Sequence, residues 1–548
     1  MVSMMGRSDS ESQNRYCSAA TVKQDKLAMN QLDQFCRDRF LFDLEAMNSG
    51  LNSSLMNIST GLIVGPEVNI NQVKELGFQV LSDMKEFTPS TFKYVRSCMV
   101  KQLPDKEQVS PDLDVTARPE VNTDLMFQRL VTLGELEQKD ALSHELSKYP
   151  SSLFTTTGHM RPNTKSQVAR YLLKVNTPST STSDECRGLD LVLDGGMLLH
   201  SLTHPWKKGC TYGKIASEYV DYIHGLKESG SHPSVTVVFY GYLNSTTKDH
   251  AHKSRTPVRS LQIDIRRETV FNSKKEIFLS NPLNKQRFVN MLACELGDRS
   301  VAGVVRCEED ADLEIARAGL SVAGSKPVVV TADDADVTVL LIHYISQNVN
   351  RNLQTVYLKR QGKIYNLNDI VSGIDPLQKD LILLSHAFMG CDTTSALYRK
   401  GQLKLIKSDL TTFRQVFYNS ESDRASIVGA GEEIMKIIYS TKSSRNETLD
   451  KIRHSMYCKK LVASKKKVEV ATLPPTTEAC SHHSLRVFHQ VQSWRGNELD
   501  PTSYGWERHS PEGLLHPVVS QKAPAPNFLM KLDVCRCAGG AKTSDAYA

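Results

Sequence analysis

Hydrophobic and polar positions follow different spacings in successive parts of this chain of 548 residues. In the first third, apolar residues recur every three or four positions, which is the spacing of amphipathic helices. This spacing predicts helices at Thr21 to Met47, Asn69 to Met84, Phe127 to Leu146 and Lys165 to Lys174. Pro, Gly and Thr clusters separate them. The sequence therefore predicts an α-rich N-terminal region over residues 1–175, and its pattern indicates no role for it.

Short, nearly continuous apolar runs replace this spacing after a Pro- and Ser-containing linker at residues 176–188. The runs are LDLVLDGGMLL, VTVVFY and PVVVTADDAD, and TVYL adds a short edge strand. Such runs are typical of strands buried on both faces of a parallel sheet. Helical patterns stand between and after them at Lys285 to Leu296, Glu308 to Gly319 and Asp380 to Phe388. The alternation predicts an α/β domain over residues 189–440, with a central, mostly parallel sheet flanked by helices.

The last part of the chain, residues 441–548, becomes charged and loses the strand pattern. It contains a basic SKKK run at residues 464–467, a TLPPTTE spacer and several further prolines. This composition predicts a basic, partly helical and partly irregular C-terminal tail. The SKKK run is most often a solvated surface, with nuclear targeting and nucleic-acid contact as the alternatives.

Composition narrows the class of protein only slightly. With 40% hydrophobic and 23% charged residues and a net charge of +6, the chain is mildly basic, which permits a nucleic-acid partner without requiring one. Twelve cysteines stand in no regular frame, and the first residues lack the apolar core of a signal peptide. These features predict reduced thiols and an intracellular location, nuclear or cytoplasmic, rather than secretion. No apolar run approaches the roughly 18 to 20 residues that cross a bilayer, so no membrane partner is expected.

Acidic residues fall where the predicted strands end and the predicted helices begin. Asp333, Asp334 and Asp336 interrupt an otherwise hydrophobic stretch, and burying an unpaired carboxylate costs several kcal/mol, so packing does not explain them. Open α/β sheets bind ligands at the carboxyl ends of their strands. The full candidate set is Asp194, Asp310, Asp312, Asp334, Asp336 and Asp392. Crowded carboxylates repel one another unless a cation neutralises them, and hard divalent cations prefer oxygen ligands. The set therefore predicts a metal site.

Structural roles remain open for the same acids. Asp334 and Asp336 can lie in a solvated loop, Asp194 can be a turn residue before two glycines, and Asp392 can be a helix N-cap. The acids from Glu308 to Glu314 can form a solvated helix face or a first turn favoured by the helix dipole. We interpret the neighbouring Asp333 as a bystander.

Other reactive residue types give weaker signals. His343 and His386 lie on apolar elements and are predicted to be core residues rather than ligands. Cys391 stands beside the last aspartate, but no His or Asn partner pattern supports a thiol mechanism. Cys535 and Cys537 supply two of the four ligands that a structural zinc ion needs. A complete zinc site would need further ligands, for which the candidates are Cys480, His482 and His483.

The order of five segments resembles the PIN-like nuclease domain of the flap endonuclease superfamily. The segments are LVLDGGMLLH, VVFYGY, DADLEIARAG, VVVTADDADVTVL and HAFMGCDTTSALYRKGQLKLI. The resemblance covers about residues 188–410 and looks closer still to a group of poorly characterised invertebrate proteins that carry such a domain. It implies a PIN-like fold, two Mg²⁺ or Mn²⁺ ions, and DNA or RNA as the partner.

The resemblance also implies a role for each acid. Asp194 matches the first-strand aspartate, and Asp334 and Asp336 match the paired aspartates after a later strand. Asp310 and Asp312 match the paired acids that open the middle helix, with Glu314 as a competitor for one place. Asp392 matches the aspartate of a Gly-x-Asp step, which opens a helical hairpin that grips the nucleic-acid backbone. The residues of this hairpin that are available to phosphates are Arg399, Lys400, Gly401, Lys404 and Lys407.

Tyr240 departs from the pattern of the superfamily, which places an aspartate at the end of the second strand. A phenol with an ordinary pKa near 10 is a poor substitute for a carboxylate ligand of Mg²⁺. Two hypotheses therefore stand. The first is a divalent-metal-dependent nuclease that hydrolyses phosphodiesters at a two-metal carboxylate site. The second is a catalytically impaired PIN-like scaffold, including one derived from a mobile element, that binds nucleic acid or protein partners.

Overall fold

The computed structural model describes most of the chain after residue 122. The described ranges are 123–174, 184–241, 262–307, 311–347, 353–401, 403–439, 446–463, 468–509 and 514–530, with Asn30, Leu62–Ile63, Glu75, Phe78 and Thr247. The predicted helices at Thr21 to Met47 and Asn69 to Met84 lie outside these residues except at single positions. The SKKK run and the Cys535 to Cys537 segment also lie outside them.

The chain divides into two compact units. The first comprises Met1–Lys106 and Leu261–Ile265, and in it Leu62–Ile63 pairs antiparallel with Gln262–Ile263. The second comprises Glu107–Ser260 and Arg266–Ala548. All the candidate site residues belong to the second unit.

A six-stranded sheet forms the centre of the second unit. Its strands are β1 (Asp190–Asp194), β2 (Val235–Tyr240), β3 (Gly303–Cys307), β4 (Val328–Thr331), β5 (Val356–Arg360) and β6 (Lys363–Asn366). They lie in the order β3-β2-β1-β4-β5-β6, and every neighbouring pair is parallel except β5 and β6. The predicted mostly parallel sheet is confirmed. The pattern did not predict β3, whose sequence GVVRC is mostly accessible and therefore lacks a continuous apolar run.

Helices flank this sheet along the whole unit. They are α1 (Thr123–Thr132), α2 (Glu135–Leu142), α3 (Ser166–Leu172), α4 (Gly195–Ser201), α5 (Tyr212–Glu228), α6 (Lys275–Ser280), α7 (Pro282–Asp298), α8 (Ala311–Ala323), α9 (Ala335–Gln347), α10 (Leu367–Gly373), α11 (Pro376–Met389), α12 (Leu403–Ile406), α13 (Thr411–Tyr418), α14 (Arg424–Tyr439), α15 (Leu449–Ala463), α16 (Thr477–Trp494) and α17 (Asn527–Met530). The helices predicted within residues 165–174, 285–296, 308–319 and 380–388 correspond to α3, α7, α8 and α11. The predicted helix at Phe127 to Leu146 is two helices, because Gly134 starts the second.

The strand order reverses between β1 and β4. From β1 the chain proceeds to β2 and β3 on one side, and it then crosses to β4 and β5 on the other. Leu193 lies opposite Thr331, so Asp194 and the segment after β4 leave the sheet side by side. Open α/β sheets form their ligand-binding crevice at this switch point.

One hydrophobic cluster packs around the sheet and draws on distant parts of the chain. It begins at Tyr149, includes Leu172 of α3 and extends to Leu515. Helix α16 lies in the segment predicted as a tail, yet Phe488 and Trp494 of this helix are buried in the same cluster. The sequence did not predict that α16 is a core helix, because polar residues occupy several of its buried positions. The predicted domain boundaries at residues 175 and 440 stay predictions, although side chains from both sides of each boundary share this cluster.

None of the helices in the described ranges combines the length and the apolar character that a membrane span requires.

Candidate carboxylate site

Helix α9 starts directly after β4 and places two aspartates at the switch point. Asp334 Oδ1 accepts a hydrogen bond of 2.8 Å from the backbone N–H of Asp336, which is the interaction of a helix-capping residue. The two side chains differ in accessibility, because that of Asp334 is 36% exposed and that of Asp336 only 2%. The acids interrupt the hydrophobic pattern because they begin a helix that enters the core.

A lysine from a distant segment lies among these acids. The Lys165 ammonium is 2.8 Å from Asp336 Oδ2 and 3.7 Å from Asp334 Oδ1. It is also 2.8 Å from Asp392 Oδ1. Burial alone would lower the pKa of Lys165, but the surrounding negative charges outweigh burial and raise this pKa well above its ordinary value. Lys165 is therefore a buried cation that bridges three carboxylates.

Histidine completes the surroundings of Asp336. His386 Nε2 lies 2.7 Å from Asp336 Oδ1, and the His386 ring stacks on Trp494 with centroids 5.7 Å apart. The predicted core position of His386 agrees with its complete burial, but the sequence did not predict its contact with the carboxylate. Each oxygen of Asp336 thus has a partner within the protein. His343 is also a core residue, and burial lowers its pKa to about 4.

Asp392 follows α11 in a tight turn rather than at a helix start. Gly390 has a φ of 108°, and a Cβ at this position would lie 2.7 Å from the backbone nitrogen of Ala396. Only glycine suits this combination of backbone conformation and close approach. Thr394 Oγ1 accepts from the N–H of Cys391 and donates to Ala387, which fixes the turn. The N-cap interpretation of Asp392 is wrong, since no described helix begins there, and its carboxylate contacts Lys165 instead.

Asp194 lies at the end of β1 on the neighbouring side of the switch point. Its Oδ1 accepts a 2.7 Å hydrogen bond from the N–H of Gly196 and so caps α4. A Cβ on Gly195 would collide with Phe239, so glycine allows α4 to pack closely on β2. Burial raises the pKa of Asp194, and the negative charge of Asp334 raises it further. Both the turn role and a place in the acidic cluster therefore apply to Asp194.

A second lysine faces Asp194. Lys285 of α7 is close enough for its charge to lower the pKa of Asp194. Burial lowers the pKa of Lys285 to about 8, and the attraction of Asp194 offsets only part of this effect. The sequence indicated neither Lys165 nor Lys285 as a site residue.

Helix α8 contributes the remaining acids. Asp312 is in its first turn and is near enough to Lys165 for its charge to raise the pKa of the lysine. Glu314 pairs with Arg317 at 2.6 Å on the same helix, which makes its carboxylate less available to replace Asp310 as a site acid. Asp310 lies outside the described residues. The structure thus groups Asp194, Asp312, Asp334, Asp336 and Asp392 at one end of the sheet.

The remaining sequence candidates lie close to or within the core. Tyr240 ends β2 in register with Cys307, at the same edge as Asp194. Burial raises the pKa of the Cys391 thiol to about 11, which disfavours the thiolate that a nucleophile needs. Cys480 and His483 are buried in α16, and His483 Nε2 lies 3.0 Å from the carbonyl oxygen of Phe388.

The donor set fits a hard divalent cation in its chemistry, since all five candidate side chains are carboxylates. The spacing of these side chains is less favourable to a metal ion than their chemistry. Within the described ranges, no group of three His, Cys, Asp or Glu side chains has the spacing to hold a metal ion. Asp334, Asp336 and Asp392 are spaced around the Lys165 ammonium.

The predicted phosphate-binding residues occupy a turn and a short helix rather than a complete helical hairpin. Residues 395–401 are irregular, α12 spans only Leu403–Ile406, and α13 follows at Thr411–Tyr418. Gly401 and the side chains of Lys404 and Lys407 are exposed. Lys404 Nζ donates to the carbonyl of Ile438, and Lys407 lies over the ring of Tyr171 at 5.3 Å.

Basic side chains beside this turn form what we call the basic strip, which comprises Arg161, Arg399, Lys400, Lys404 and Lys460. Arg161 and Arg399 lie over the Tyr398 ring, at 4.4 and 5.0 Å. Lys400 lies 4.0 Å from the centroid of Tyr439, and burial lowers its pKa to about 8, with further lowering from Lys404 and Lys460. Arg399 also pairs with Glu469 at 3.0 Å.

Comparison with solved structures finds proteins of bacteriophage T5. The T5 D15 protein co-crystallised with metal ions is 12% identical to this chain, with a TM-score of 0.27, and the match covers 56% of this chain and 96% of that one. A lysine-to-alanine mutant of T5 5′-exonuclease is 13% identical over 55% and 100% of the two chains, with a TM-score of 0.25. A T5 D15 flap endonuclease variant in a pseudo-enzyme-product complex with DNA and metal ions is 14% identical over 55% and 98%, with a TM-score of 0.27.

No protein-family model matches the chain, and no curated protein matches it. None of these comparisons supports the predicted likeness to invertebrate proteins, which stays a prediction. The α/β architecture described above follows from the strand order and direction in the structure itself: a mostly parallel central sheet, flanked by helices, with an acidic cluster at its switch point.

Proposed function

We propose that this protein is a nuclease-like hydrolase that binds the nucleic-acid backbone and cleaves phosphodiesters with Mg²⁺ or Mn²⁺ at the carboxylate site. The observation that carries the proposal is the convergence of five aspartates at the switch point. Five carboxylates face two ammonium groups there, those of Lys165 and Lys285. An excess of negative charge in a partly buried crevice is costly unless a further cation enters it.

The residues best suited to hold that cation are those on the Asp194 side of the crevice. Asp194 supplies a carboxylate there, and the more exposed Asp334 borders it. Asp312 lies near enough to Lys165 for its charge to raise the pKa of that lysine, and Asp310 stands two positions before Asp312 in the sequence. When bound, a divalent cation lowers the pKa of a water molecule and stabilises the leaving oxygen of a phosphodiester. The chain's own contribution is to fix the carboxylates, through the capping bonds at Gly196 and Asp336. Lys285 adds a positive charge that can attract a phosphate.

The basic strip is suited to the nucleic-acid backbone. Arg161 lies in the strip and Lys165 in the carboxylate site, and the two stand four positions apart in the chain, a span of at most about 14 Å. The partly accessible ring of Tyr398 stands beside Arg161 and Arg399, and aromatic rings can stack bases of a single strand. Contacts of this kind position the backbone with little reading of sequence.

Two neighbouring aspartates provide a matched test of this function. Asp334→Asn changes a carboxylate in the site, whereas Asp333→Asn changes one that accepts a 2.7 Å hydrogen bond from the N–H of Gln361 in the β5–β6 turn. Purified wild type and both variants are incubated with labelled single-stranded, duplex and flap substrates in Mg²⁺, Mn²⁺ or EDTA. We expect Asp334→Asn to lose metal-dependent cleavage at least about 100-fold and Asp333→Asn to keep it. Equal cleavage by all three proteins would reject the site.

A second candidate function is a scaffold that binds nucleic acid or protein without turnover. The observations that favour it are Tyr240 at a strand end where the superfamily has an acid, and Lys165 among three of the acids. A Tyr240→Asp variant separates the candidates. If the wild type is inert and Tyr240→Asp gains metal-dependent cleavage, the scaffold function stands and the enzyme function fails for the natural chain.

We also propose an intracellular location, nuclear or cytoplasmic. All seven cysteines in the described ranges are free thiols, which suits a reducing compartment. Imaging of the tagged full-length chain tests this location.

A further inference from the structure

Lys165 lies among carboxylate oxygens, in a position that favours a cation. Its ammonium is 2.8 Å from Asp336 and from Asp392, and 3.7 Å from Asp334. Its side chain is only 13% exposed, and those of Asp336 and Asp392 are 2% and 11% exposed. Solvent therefore screens these charges weakly, and the lysine is a cation that offsets part of the negative charge of this group of acids.

A divalent cation cannot bind the same three carboxylates while Lys165 is there. Mg²⁺ binds carboxylate oxygens at about 2.0–2.1 Å, so an ion held by the acids that contact Nζ would overlap the ammonium group. Two positive charges in a poorly screened space also repel each other strongly. Occupation by lysine and occupation by a metal ion are therefore alternatives at this position.

The segment that carries Lys165 is fastened to the turn that carries Asp392. Asn163 Nδ2 donates a 3.0 Å hydrogen bond to the carbonyl of Met389 and a second bond to that of Gly390. The N–H of Ala396 donates to the carbonyl of Arg161 at 2.9 Å. These bonds fix the backbone on both sides of Asp392, so Lys165 is built into the site rather than reaching it as a loose surface side chain.

We propose that Lys165 is a built-in cation that replaces a divalent ion at Asp334, Asp336 and Asp392, so that any divalent ion binds only on the Asp194 side. The inference deepens the proposed function by limiting how many ions the site holds, and it rests on that function only for the catalytic role of the ion. Occupation of this position by Lys165 is a property of the folded chain, and it can be tested without any cleavage assay.

Lys165→Met tests the inference, because methionine keeps much of the side-chain volume and removes the charge. Lys165→Arg keeps the charge and serves as the first control. Lys326→Met is the matched control, since Lys326 pairs with Asp190 at 2.7 Å at the opposite end of β1 and β4. Each full-length protein is titrated with Mn²⁺ by isothermal calorimetry and electron paramagnetic resonance. Its thermal unfolding is followed in EDTA and in Mn²⁺.

We expect Lys165→Met to bind one more Mn²⁺ ion than the wild type, or to bind Mn²⁺ at least about 100-fold more tightly, because the repelling ammonium is gone. We also expect Lys165→Met to unfold at a lower temperature in EDTA, with most of the loss restored by Mn²⁺. Lys165→Arg and Lys326→Met should match the wild type in Mn²⁺ binding. Should Lys165→Met fold only in the presence of Mn²⁺, this result supports the inference as well.

Two results would overturn the inference. One is Mn²⁺ binding of Lys165→Met with the stoichiometry and affinity of the wild type. The other is a loss of stability that Mn²⁺ does not restore, including failure to fold with or without Mn²⁺, which would make Lys165 a structural residue only. The proposed function fails differently. A gain of Mn²⁺ binding in Lys165→Met without cleavage by any variant upholds the inference and rejects the enzyme.

Discussion

A partly buried lysine has a raised pKa in the carboxylate site and a lowered pKa in the basic strip. In the site, three carboxylates contact Lys165 and, together with the charge of Asp312, raise its pKa well above the ordinary value, against the effect of burial. In the strip, burial lowers the pKa of Lys400 to about 8, and its charged neighbours Lys404 and Lys460 lower it further. The site therefore offsets part of its negative charge internally, whereas the strip keeps a positive excess that suits a polyanion from outside.

The largest expected effect is the loss of stability when a buried negative charge is removed from the carboxylate site. Asp336→Asn removes a charge that is 2% exposed and contacts both Lys165 and His386, so we expect it to cost about 3 kcal/mol of unfolding free energy. Asp334→Asn should cost less than about 1 kcal/mol, because this side chain is 36% exposed and asparagine also caps helices. Urea denaturation of the two variants measures the difference. Equal losses would mean that Lys165 is not held mainly by Asp336.

The contrast also shows which features were accessible from the sequence. β1, β2 and β4 are apolar runs of four to six residues that could be predicted, and so could the acids at or just after the carboxyl ends of β1 and β4. Strand β3 could not be predicted in this way, because GVVRC is mostly accessible and has no continuous buried run. The fold was therefore predictable where burial on both faces leaves a continuous hydrophobic run.

The partners of the acids were not predictable in the same way. Lys165 precedes Asp334 by 169 positions, and no local pattern marks one lysine before a helix as a site residue. His386 was predicted as a core residue because its neighbours are apolar, and that pattern does not show that Asp336 lies beside it. The sequence supplied the carboxylates through their position at strand ends. Their counter-charges come from tertiary contacts that only the folded chain reveals.

A smaller effect is expected in the pH dependence of the unfolding free energy, through Lys400 of the basic strip. The pKa of Lys400 is about 8 in the folded protein and 10.5 ordinarily, so between these values the unfolded chain binds more protons. Stability contributed by this group therefore rises as pH increases from about 8 to 10.5. We expect the wild type to gain about 2 kcal/mol relative to Lys400→Met across this window, after allowance for partial exposure.

Lys400→Arg distinguishes titration of Lys400 from loss of its charge. Arginine stays charged over the whole window, so Lys400→Arg should lack the pH-dependent gain just as Lys400→Met does. Urea denaturation at pH 7.5, 9 and 10.5 measures all three proteins. Parallel pH profiles for the wild type and both variants would show that Lys400 does not titrate in this range.

The smallest expected effect is a change in affinity for nucleic acid. It tests whether Glu469, an acid beside the basic strip, reduces the positive charge that the strip offers to a phosphate. Glu469 pairs with Arg399 at 3.0 Å and accepts a 2.5 Å hydrogen bond from the Tyr398 hydroxyl. A phosphate would have to compete with this carboxylate for Arg399. We expect Glu469→Gln to bind labelled single-stranded nucleic acid about threefold more tightly at low salt, with a salt-dependence slope steeper by about one phosphate contact.

Fluorescence anisotropy over a series of salt concentrations measures both quantities. Arg399→Ala combined with Glu469→Gln should remove the gain, because the arginine that Glu469 restrains is then absent. If Glu469→Gln binds more tightly with an unchanged slope, the added affinity does not come from a phosphate contact. The strip would then differ from the carboxylate site in the sign of its charge alone and not in its readiness to bind an external anion.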